Sequence, residues 1–223
     1  EKVMMGQIEE LADGLGRLSQ GLFIAVEGGD GAGKTSVICQ LEEMLRKCGA
    51  DVLFTREPGG TEMGSQLRQM VMHGPQDVDP RTEALLYAAD RAYHAATVIR
   101  PQLEAGNTVI TDRYIDSSVA YQGIGRELGE AEVRQLSLWA TDNLVPDAVL
   151  FFDVDPQVGL SRLGKTLDRL EQSGDAFHRR VHQYYQRQVA AEPQRYFTID
   201  ANQPFDQVLQ QTVSALLQVV ARK

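Results

Sequence analysis

The chain has little of what several classes of protein depend on. It contains only two cysteines in 223 residues, Cys39 and Cys48, which lie nine positions apart on one predicted helix and match no metal-ligand spacing. Such scarce cysteines indicate reduced thiols and a cytoplasmic protein. No apolar run approaches the ~18 residues that a membrane span needs. A net charge of −9 provides no excess of basic residues, which argues against a nucleic-acid partner.

Strand-like and helical patterns alternate along the chain, whose 223 residues fit one α/β domain and are short for two. The strand candidates are the apolar runs "LFIAV", "DVLFT", "NTVIT", "AVLFFDV" and "YFTID". Apolar residues recur at helical spacing over about 33–48, 62–73, 80–104, 130–142, 156–162, 174–191 and 205–222. This alternation predicts an α/β fold with a parallel sheet flanked by helices, and with ligands at the carboxyl ends of the strands.

Residues 1–20 stand outside this pattern. The segment is acidic, is interrupted by glycines and lacks the apolar core of a signal peptide. We interpret it as an N-terminal extension, either a short amphipathic helix left over from a longer polypeptide or a segment that packs on the domain formed by residues 21–223. Because the first strand begins only at about Leu22, its removal is expected to change stability and activity little.

A glycine-rich loop follows the first strand. It matches the pattern G-x-x-x-x-G-K-[ST] at Gly28, Gly29, Asp30, Gly31, Ala32, Gly33, Lys34 and Thr35. Glycines permit positive φ angles and close backbone approach, so that successive N–H groups and the following helix N-terminus face an anion. Lys34 would reach the β- and γ-phosphates, and the Thr35 hydroxyl would join Mg²⁺. The loop therefore predicts a nucleoside triphosphate site.

Charged residues also follow the later strands. After the second strand, "REPGG" is a charged pair and a turn, and on its own it is explained equally well as a surface turn. After the third strand, the Asp112 carboxylate is expected to hold Mg²⁺ directly or through water, and Arg113 offers a planar fork for a phosphate. Asp153 is a rival for the metal, but we interpret it as the cap of the helix that begins near Pro156.

Two further segments bear candidate ligand groups. Tyr87 and Arg91 lie four residues apart on one helix face, which suits a base, although these residues alone are better explained as a half-buried tyrosine in a surface ion pair. The segment at about 161–172 is either a lid that closes over phosphates or a solvated basic loop. The basic residues around its glycine-containing break are Arg162, Lys165 and Arg169.

Taken together, these stretches resemble the bacterial thymidylate kinases, a family of P-loop nucleoside monophosphate kinases. Four motifs occur in the family's order, "EGGDGAGKT", "TREPGGT", "DRYIDSSVAYQG" and "LDRLE", and the resemblance runs from Gly21 to about Lys223. It implies a five-stranded parallel sheet wrapped by helices, usually in a homodimer. It also implies Mg²⁺-assisted transfer of the γ-phosphoryl group from ATP to dTMP in dTTP biosynthesis, with ATP and dTMP as the binding partners.

The resemblance assigns roles to individual residues. The loop from Gly28 to Thr35 would bind ATP, and Thr35 with Asp112 would hold the metal. The substrate contacts that it implies are Glu57, Arg68, Tyr87, Arg91, Arg113, Ser118, Tyr121 and Gln122. The catalytic charges that it implies are Lys34, Arg113, Arg162, Lys165 and Arg169. Tyr87 stands where the family commonly has a stacking phenylalanine, and this lid has fewer arginines than that of some relatives.

Two other functions share the phosphate loop. A P-loop kinase for another nucleotide or for a small alcohol would need the same loop and a different acceptor site. A nucleotide-dependent switch that reads guanine should carry an Asn-Lys-x-Asp motif after a strand, and the sequence contains none.

Overall fold

The strands form one parallel sheet. The computed structural model describes residues 2–223. Its strands are β1 (Leu22–Gly28), β2 (Val52–Arg56), β3 (Thr108–Asp112), β4 (Ala148–Asp153) and β5 (Tyr196–Asp200). They lie in the order β2-β3-β1-β4-β5, and each neighbouring pair is parallel. The predicted fold class and the five strand positions are confirmed.

Helices cover both faces of this sheet. In the described part of the chain they are α1 (Lys2–Gly16), α2 (Lys34–Lys47), α3 (Glu62–His73), α4 (Pro80–His94), α5 (Arg100–Glu104), α6 (Ile115–Ser118), α7 (Glu130–Ala140), α8 (Pro156–Ser161), α9 (Asp175–Ala191) and α10 (Phe205–Ala221). A π-helical stretch, Ala95–Ile99, joins α4 to α5, and another, Val119–Gly125, extends α6. No helix over these residues is long and apolar enough to cross a membrane.

The seven predicted helices are all present, and one helical stretch was missed. The helix predicted over 80–104 is interrupted only by the π-helical stretch. The missed stretch runs from α6 through Gly125 and contains most of "DRYIDSSVAYQG". No helix was predicted here, and the serines, glycines and β-branched residues of the stretch are weak helix formers.

The central strand sends alternate side chains into two separate cores. Leu22, Ile24 and Val26 pack with residues of α1, α2 and α10 on one side, which we call the first face. Phe23 and Ala25 pack with residues of α6, α7 and α9 on the other, the second face. All seven residues of β1 are buried, as expected for a parallel strand covered on both sides.

Helix α1 is an integral part of the first core. Its buried apolar residues are Ile8, Leu11, Ala12 and Leu15. It approaches α10 closely at Gly14, where a Cβ would stand 2.9 Å from Cγ1 of Val220. Residue 1 of the predicted extension lies outside the described residues. The rest packs on the domain, which was one of the two interpretations of the segment. Its removal would expose apolar surface on α10, so a loss of stability is now the expected outcome.

Candidate active site

The loop after β1 has the backbone geometry of an anion site. Gly31 and Gly33 have φ angles of 73° and 81°, in the region that favours glycine. At Gly31 there is also no space for a side chain, because a Cβ would overlap the backbone of Gly159 in α8. Helix α2 begins directly after Gly33, so its free N–H groups and the positive end of its dipole face the loop.

The Lys34 side chain is held against the loop by two backbone carbonyl groups of the loop. Its Nζ donates to Gly28 O over 3.1 Å and to Gly29 O over 2.8 Å. Burial, with a smaller contribution from the nearby Arg113, lowers the pKa of Lys34 to about 8. An ammonium group has three N–H donors, so one remains for an anion in the loop.

Thr35 and Asp112 are brought together at the carboxyl ends of β1 and β3. Thr35 Oγ1 donates to Asp112 Oδ2 over 3.1 Å, while Asp112 Oδ1 is buried without a partner among the described residues. A hydroxyl beside an unsatisfied carboxylate oxygen fits Mg²⁺, which takes one or two carboxylates and keeps waters and phosphates as its other ligands. Over residues 2–223 there is no larger cluster of His, Cys, Asp or Glu that could hold a metal.

Arg113 and Tyr121 both bind Asp30 of the loop. Arg113 Nη2 donates to Asp30 Oδ1 over 2.9 Å, and the Tyr121 hydroxyl donates to Asp30 Oδ2 over 2.9 Å. Arg113 Nη1 also donates to Gly28 O over 3.0 Å, and its guanidinium stacks 5.0 Å from the centre of the Tyr121 ring. The backbone of Arg113 has a φ of 70°, which is strained for a residue with a side chain. Asp30 thus fixes the α6 segment to the phosphate loop.

Two cavities meet at this arginine. The first, beside the loop, is lined by residues 30–36 and by Arg56, Arg68, Met72, Asp112, Leu163 and Glu171, among others. The second is lined by Pro58, Tyr87, Arg91, Ser117, Ser118, Tyr121, Gln122 and Leu170. The residues that border both cavities are Asp30, Glu57, Met72, Arg113 and Asp168. We call the first cavity the loop cavity and the second the base cavity. Ligands bound in the two cavities would meet at Arg113.

Most of the donors of Arg91 in the base cavity are already used. They bind Glu57 Oε2 (2.7 Å), Ser118 Oγ (2.8 Å), Ser137 Oγ (3.1 Å) and Tyr114 O (3.0 Å). These bonds occupy four of the five N–H groups of a guanidinium, and the fifth, on Nη2, is left for a ligand. The other oxygen of Glu57 contacts His94 Nδ1 at 2.8 Å, so the acidic residue of "REPGG" is fixed on both sides.

The other residues predicted to bind substrate are divided between the cavities. Tyr87 is half-buried beside Arg91 and faces the base cavity; burial raises its pKa, so it presents a neutral phenol ring. Arg68 instead lies in the loop cavity and donates to Pro58 O over 3.0 Å. Gln122 lies in the base cavity, where its Nε2 donates to Glu83 Oε1 over 2.8 Å.

The three predicted lid cations have different surroundings. Arg162 Nη1 donates to Ala201 O over 2.9 Å and lies 3.5 Å from Gly31 O, at the phosphate loop. Lys165 is exposed. Arg169 is buried, donates to Val71 O over 3.0 Å and forms an ion pair with Glu83 at 2.5 Å. Only Arg162 of the three contacts the loop, and the catalytic role of each stays a prediction.

Four ionisable residues of this region were not among those predicted from the sequence. Asp168 borders both cavities and Glu171 borders the loop cavity; both belong to "LDRLE", from which only the cation was taken. Glu83 and His94 are buried on α4, on the same face as Tyr87 and Arg91. Their helical spacing from those two residues was the available signal.

The helix-cap interpretation of Asp153 is wrong. Asp155 caps α8, because its side chain accepts hydrogen bonds from the backbone N–H groups of Gln157 and Val158. Asp153 instead contacts His182 Nε2 of α9 at 2.7 Å. The position directly before a proline at the helix start is where a cap belongs, and Asp155 occupies it.

Comparison with known proteins identifies the family. A sequence model of the thymidylate kinases matches residues 26–212. The chain belongs to the thymidylate kinase family. It is thus a phosphotransferase that binds nucleotides, and the resemblance found in its sequence is confirmed. Helix α1 lies outside the matched residues.

Individual members of the thymidylate kinase family match most of the chain. The thymidylate kinase of Leifsonia xyli subsp. xyli is 51% identical over 191 residues, which cover 84% of this chain and 90% of that protein. That of Halalkalibacterium halodurans is 46% identical over 206 residues, 90% of this chain and 98% of that protein. The crystal structure of Ehrlichia chaffeensis thymidylate kinase superposes with a TM-score of 0.72 at 30% identity, covering 88% of this chain and 99% of that one.

Proposed function

We propose that the chain transfers the γ-phosphoryl group of ATP to dTMP, giving ADP and dTDP for dTTP biosynthesis. Membership of the thymidylate kinase family supports dTMP as the acceptor. The observation that carries the residue assignments is the junction of two cavities at Arg113, one beside a phosphate loop and one lined by an aromatic ring and hydrogen-bonding groups. The donor ATP would occupy the loop cavity and dTMP the base cavity.

The loop would bind the donor phosphates and neutralise their charge. Backbone N–H groups at the start of α2 point to the phosphates, and Lys34 offers its remaining donor to the transferring group. The residues that would hold Mg²⁺ are Thr35 and Asp112. The metal would supply positive charge for the phosphate oxygens when it is bound. Phosphoryl transfer needs mainly such positioning and charge neutralisation, because its transition state spreads charge over the equatorial oxygens.

Arginines at the junction would align the acceptor phosphate with the donor. Arg113 is fixed by Asp30 and Gly28 O at the border of both cavities, so its charge is placed before substrate arrives. Arg68 lies in the loop cavity next to the "REPGG" turn, which Glu57 anchors. Arg162 would bring lid charge to the loop. No strong base is required, since a nucleoside monophosphate is already an anionic nucleophile near neutral pH.

The base cavity suits a pyrimidine with carbonyl groups and one ring N–H. Arg91 has a single N–H to offer, which fits one carbonyl oxygen of thymine. Gln122 offers an amide oxygen, which fits the ring N–H. Tyr87 provides a ring for stacking. We also propose that Tyr121, beside the sugar, crowds a ribose 2′-hydroxyl.

We further propose a cytoplasmic homodimer. A groove between α4 and α7 is lined by Ala84, Leu85, Leu128, Val133 and Leu136, and Leu85 is largely exposed. Exposed apolar surface of this kind is typical of protein–protein interfaces, and a second copy of the chain would bury it.

Steady-state kinetics across a panel of monophosphates tests the proposal. With ATP and Mg²⁺, kcat/KM should be highest for dTMP and roughly ten- to two-hundredfold lower for dUMP, which lacks one methyl group. It should be lower by several orders of magnitude for dCMP, because a site built for hydrogen bonds rejects a mismatched edge strongly. UMP should be poorer than dUMP. If dCMP or UMP matches dTMP, the roles of Arg91 and Gln122 have to be withdrawn.

A further inference from the structure

A buried carboxylate lies behind the base cavity and is not part of its lining. Glu83 on α4 is 0% exposed. Its Oε1 accepts from Gln122 Nε2 (2.8 Å) and from Arg126 Nε (3.2 Å), and its Oε2 pairs with Arg169. One side chain therefore contacts the π-helical segment after α6, the residue that directly follows this segment, and the lid segment. Two guanidinium groups face this one carboxylate, and their positive charge offsets the cost of burying it.

We propose that Glu83 is a positioning residue for base selection, because it fixes the orientation of the Gln122 side-chain amide. The inference rests on the proposed function, in which Gln122 reads the base. A carboxylate accepts hydrogen bonds and, while ionised, donates none. The Gln122 group that faces Glu83 must therefore be the NH₂ group, and the amide oxygen is left for the cavity. Among the described residues, the Gln122 side-chain amide forms hydrogen bonds through its nitrogen alone.

This orientation decides which pyrimidine edge fits. Thymine presents a ring N–H, which the amide oxygen accepts. Cytosine presents an unprotonated ring nitrogen at the same position, so two acceptors would face each other. A free glutamine could turn its amide by a half-rotation and donate to cytosine instead. Glu83 prevents that rotation, since it would place the amide oxygen against the carboxylate.

A purely structural role for Glu83 makes a different prediction. If Glu83 only balances Arg126 and Arg169, its loss should lower stability and should lower the rates with dTMP and dCMP by the same factor. If Glu83 orients Gln122, the ratio of the two kcat/KM values changes. The ratio is therefore the measurement that separates the two roles.

Glu83→Gln is the first variant, with kcat/KM measured for dTMP and dCMP. Its side chain can donate to Gln122 as well as accept, so the amide is free to turn. We expect the dTMP-to-dCMP ratio to fall by about tenfold or more, mainly through a lower KM for dCMP. If Glu83→Gln does not fold, Glu83→Asp replaces it as the test variant. It keeps a charge that the flexible arginines can reach, but its shorter side chain withdraws the carboxylate from Gln122. The dTMP-to-dCMP ratio should fall in this variant as well.

Arg126→Gln is the matched control. It removes a guanidinium charge from the same oxygen of Glu83, and Arg126 does not line the base cavity. Its melting temperature should fall, while the dTMP-to-dCMP ratio should stay within about twofold of the wild-type value. This variant shows what a simple loss of packing and charge at Glu83 does to selectivity.

The exchange variant Glu83→Gln with Gln122→Glu provides a rescue. The carboxylate is then at position 122, where it can only accept from the base, and the amide at position 83 donates to it. The ratio should return to within about threefold of wild type even if the absolute rates do not. An unchanged ratio in Glu83→Gln and Glu83→Asp, or no rescue by the exchange, overturns the inference. If the wild-type enzyme itself does not prefer dTMP to dCMP, the proposed function fails instead.

Discussion

The two faces of the sheet are stabilised in different ways. On the first face, α1, α2 and α10 cover β1 and β4 with apolar side chains. The strand residues Leu22, Ile24 and Leu150 are completely buried beneath them. On the second face, ionisable groups are buried among apolar ones, and Glu27 and Glu83 are both 0% exposed. Apolar packing tolerates small shifts of its partners, whereas a buried charge requires donors or acceptors at fixed positions.

The location of the cavities explains this difference. The base cavity is lined from the second face, by α4 and by the segment after α6. Two of the buried charges contact its lining, since Glu57 accepts from Arg91 and Glu27 accepts from Ser117. Glu27 shows the cost: its carboxylate accepts from Tyr114 N and from the Tyr185 hydroxyl, yet burial raises its pKa to about 7. The first face stabilises the domain, and the second gives up some stability to hold the geometry of the site.

Removal of α1 should separate stability from activity most strongly. Deletion of residues 1–17 removes Ile8, Leu11 and Leu15 and exposes the α10 surface that they cover. Each large aliphatic side chain contributes about 1.5–3 kcal/mol on burial, and roughly 2–4 °C of Tm is lost per kcal/mol in a chain of this size. We expect Tm to fall by roughly 10 °C or more. Differential scanning fluorimetry measures it.

Activity after this deletion should be nearly normal where the truncated domain is still folded. Helix α1 borders neither cavity, so kcat for dTMP at low temperature should stay within about twofold of the full chain. Val3→Ala is the matched control, since Val3 lies on the same helix and is 73% exposed. A truncated protein with an unchanged Tm would show that the packing on α10 contributes nothing.

Two carboxylates at the ends of the strands on either side of β1 should differ in their effect on the magnesium requirement. Asp112 has a buried, unpartnered oxygen beside Thr35, whereas Asp153 is paired with His182. Asp112→Asn should raise the Mg²⁺ concentration for half-maximal rate by about tenfold or more, since a neutral amide is a weaker ligand for a hard cation. For Asp153→Asn the change should be at most about twofold. Titrations of Mg²⁺ against rate decide it, and a larger effect at Asp153 would reverse the assignment of the metal ligand.

The sequence predicts the sheet because its strands are buried on both faces and therefore appear as short apolar runs. It predicts the phosphate loop because few sequences satisfy the backbone geometry at Gly31 and Gly33. It does not predict the partner of α1, since an amphipathic pattern shows that a helix has an apolar face but not which helix covers it.

The buried charges of the second face are hidden from sequence analysis for a related reason. Glu83 and His94 look like residues of a solvated helix face, and only the approach of α6, the lid and the "REPGG" turn in three dimensions buries them. The same holds for Arg169, which the sequence presents as a lid cation and the structure pairs with Glu83. Local patterns predict the elements, but pairing between distant buried charges depends on how these elements pack.

Lys34 connects the two faces, since it begins a helix of the first face and points into the site. Burial lowers its pKa from 10.5 to about 8, so above that pH the free enzyme loses a charge that the phosphates need. Binding of ATP then requires uptake of a proton. The affinity for ATP should therefore fall above pH 8 by at most about tenfold per pH unit. Titration calorimetry between pH 7 and 9.5, in buffers of different ionisation enthalpy, measures both the affinity and the proton uptake.

The effect on stability has the opposite sign to the effect on binding. Between pH 8 and 10.5 the folded state holds fewer protons at Lys34 than the unfolded chain, so the free energy of unfolding of the ATP-free enzyme gains a contribution as pH rises through this window. Lys34→Met is the control for both measurements. It should bind ATP weakly at every pH, without the loss above pH 8 and without proton uptake. Wild-type affinity that is constant up to pH 9.5 would show that the loop keeps the lysine charged, and that the cost of its burial is offset by the carbonyl groups of Gly28 and Gly29.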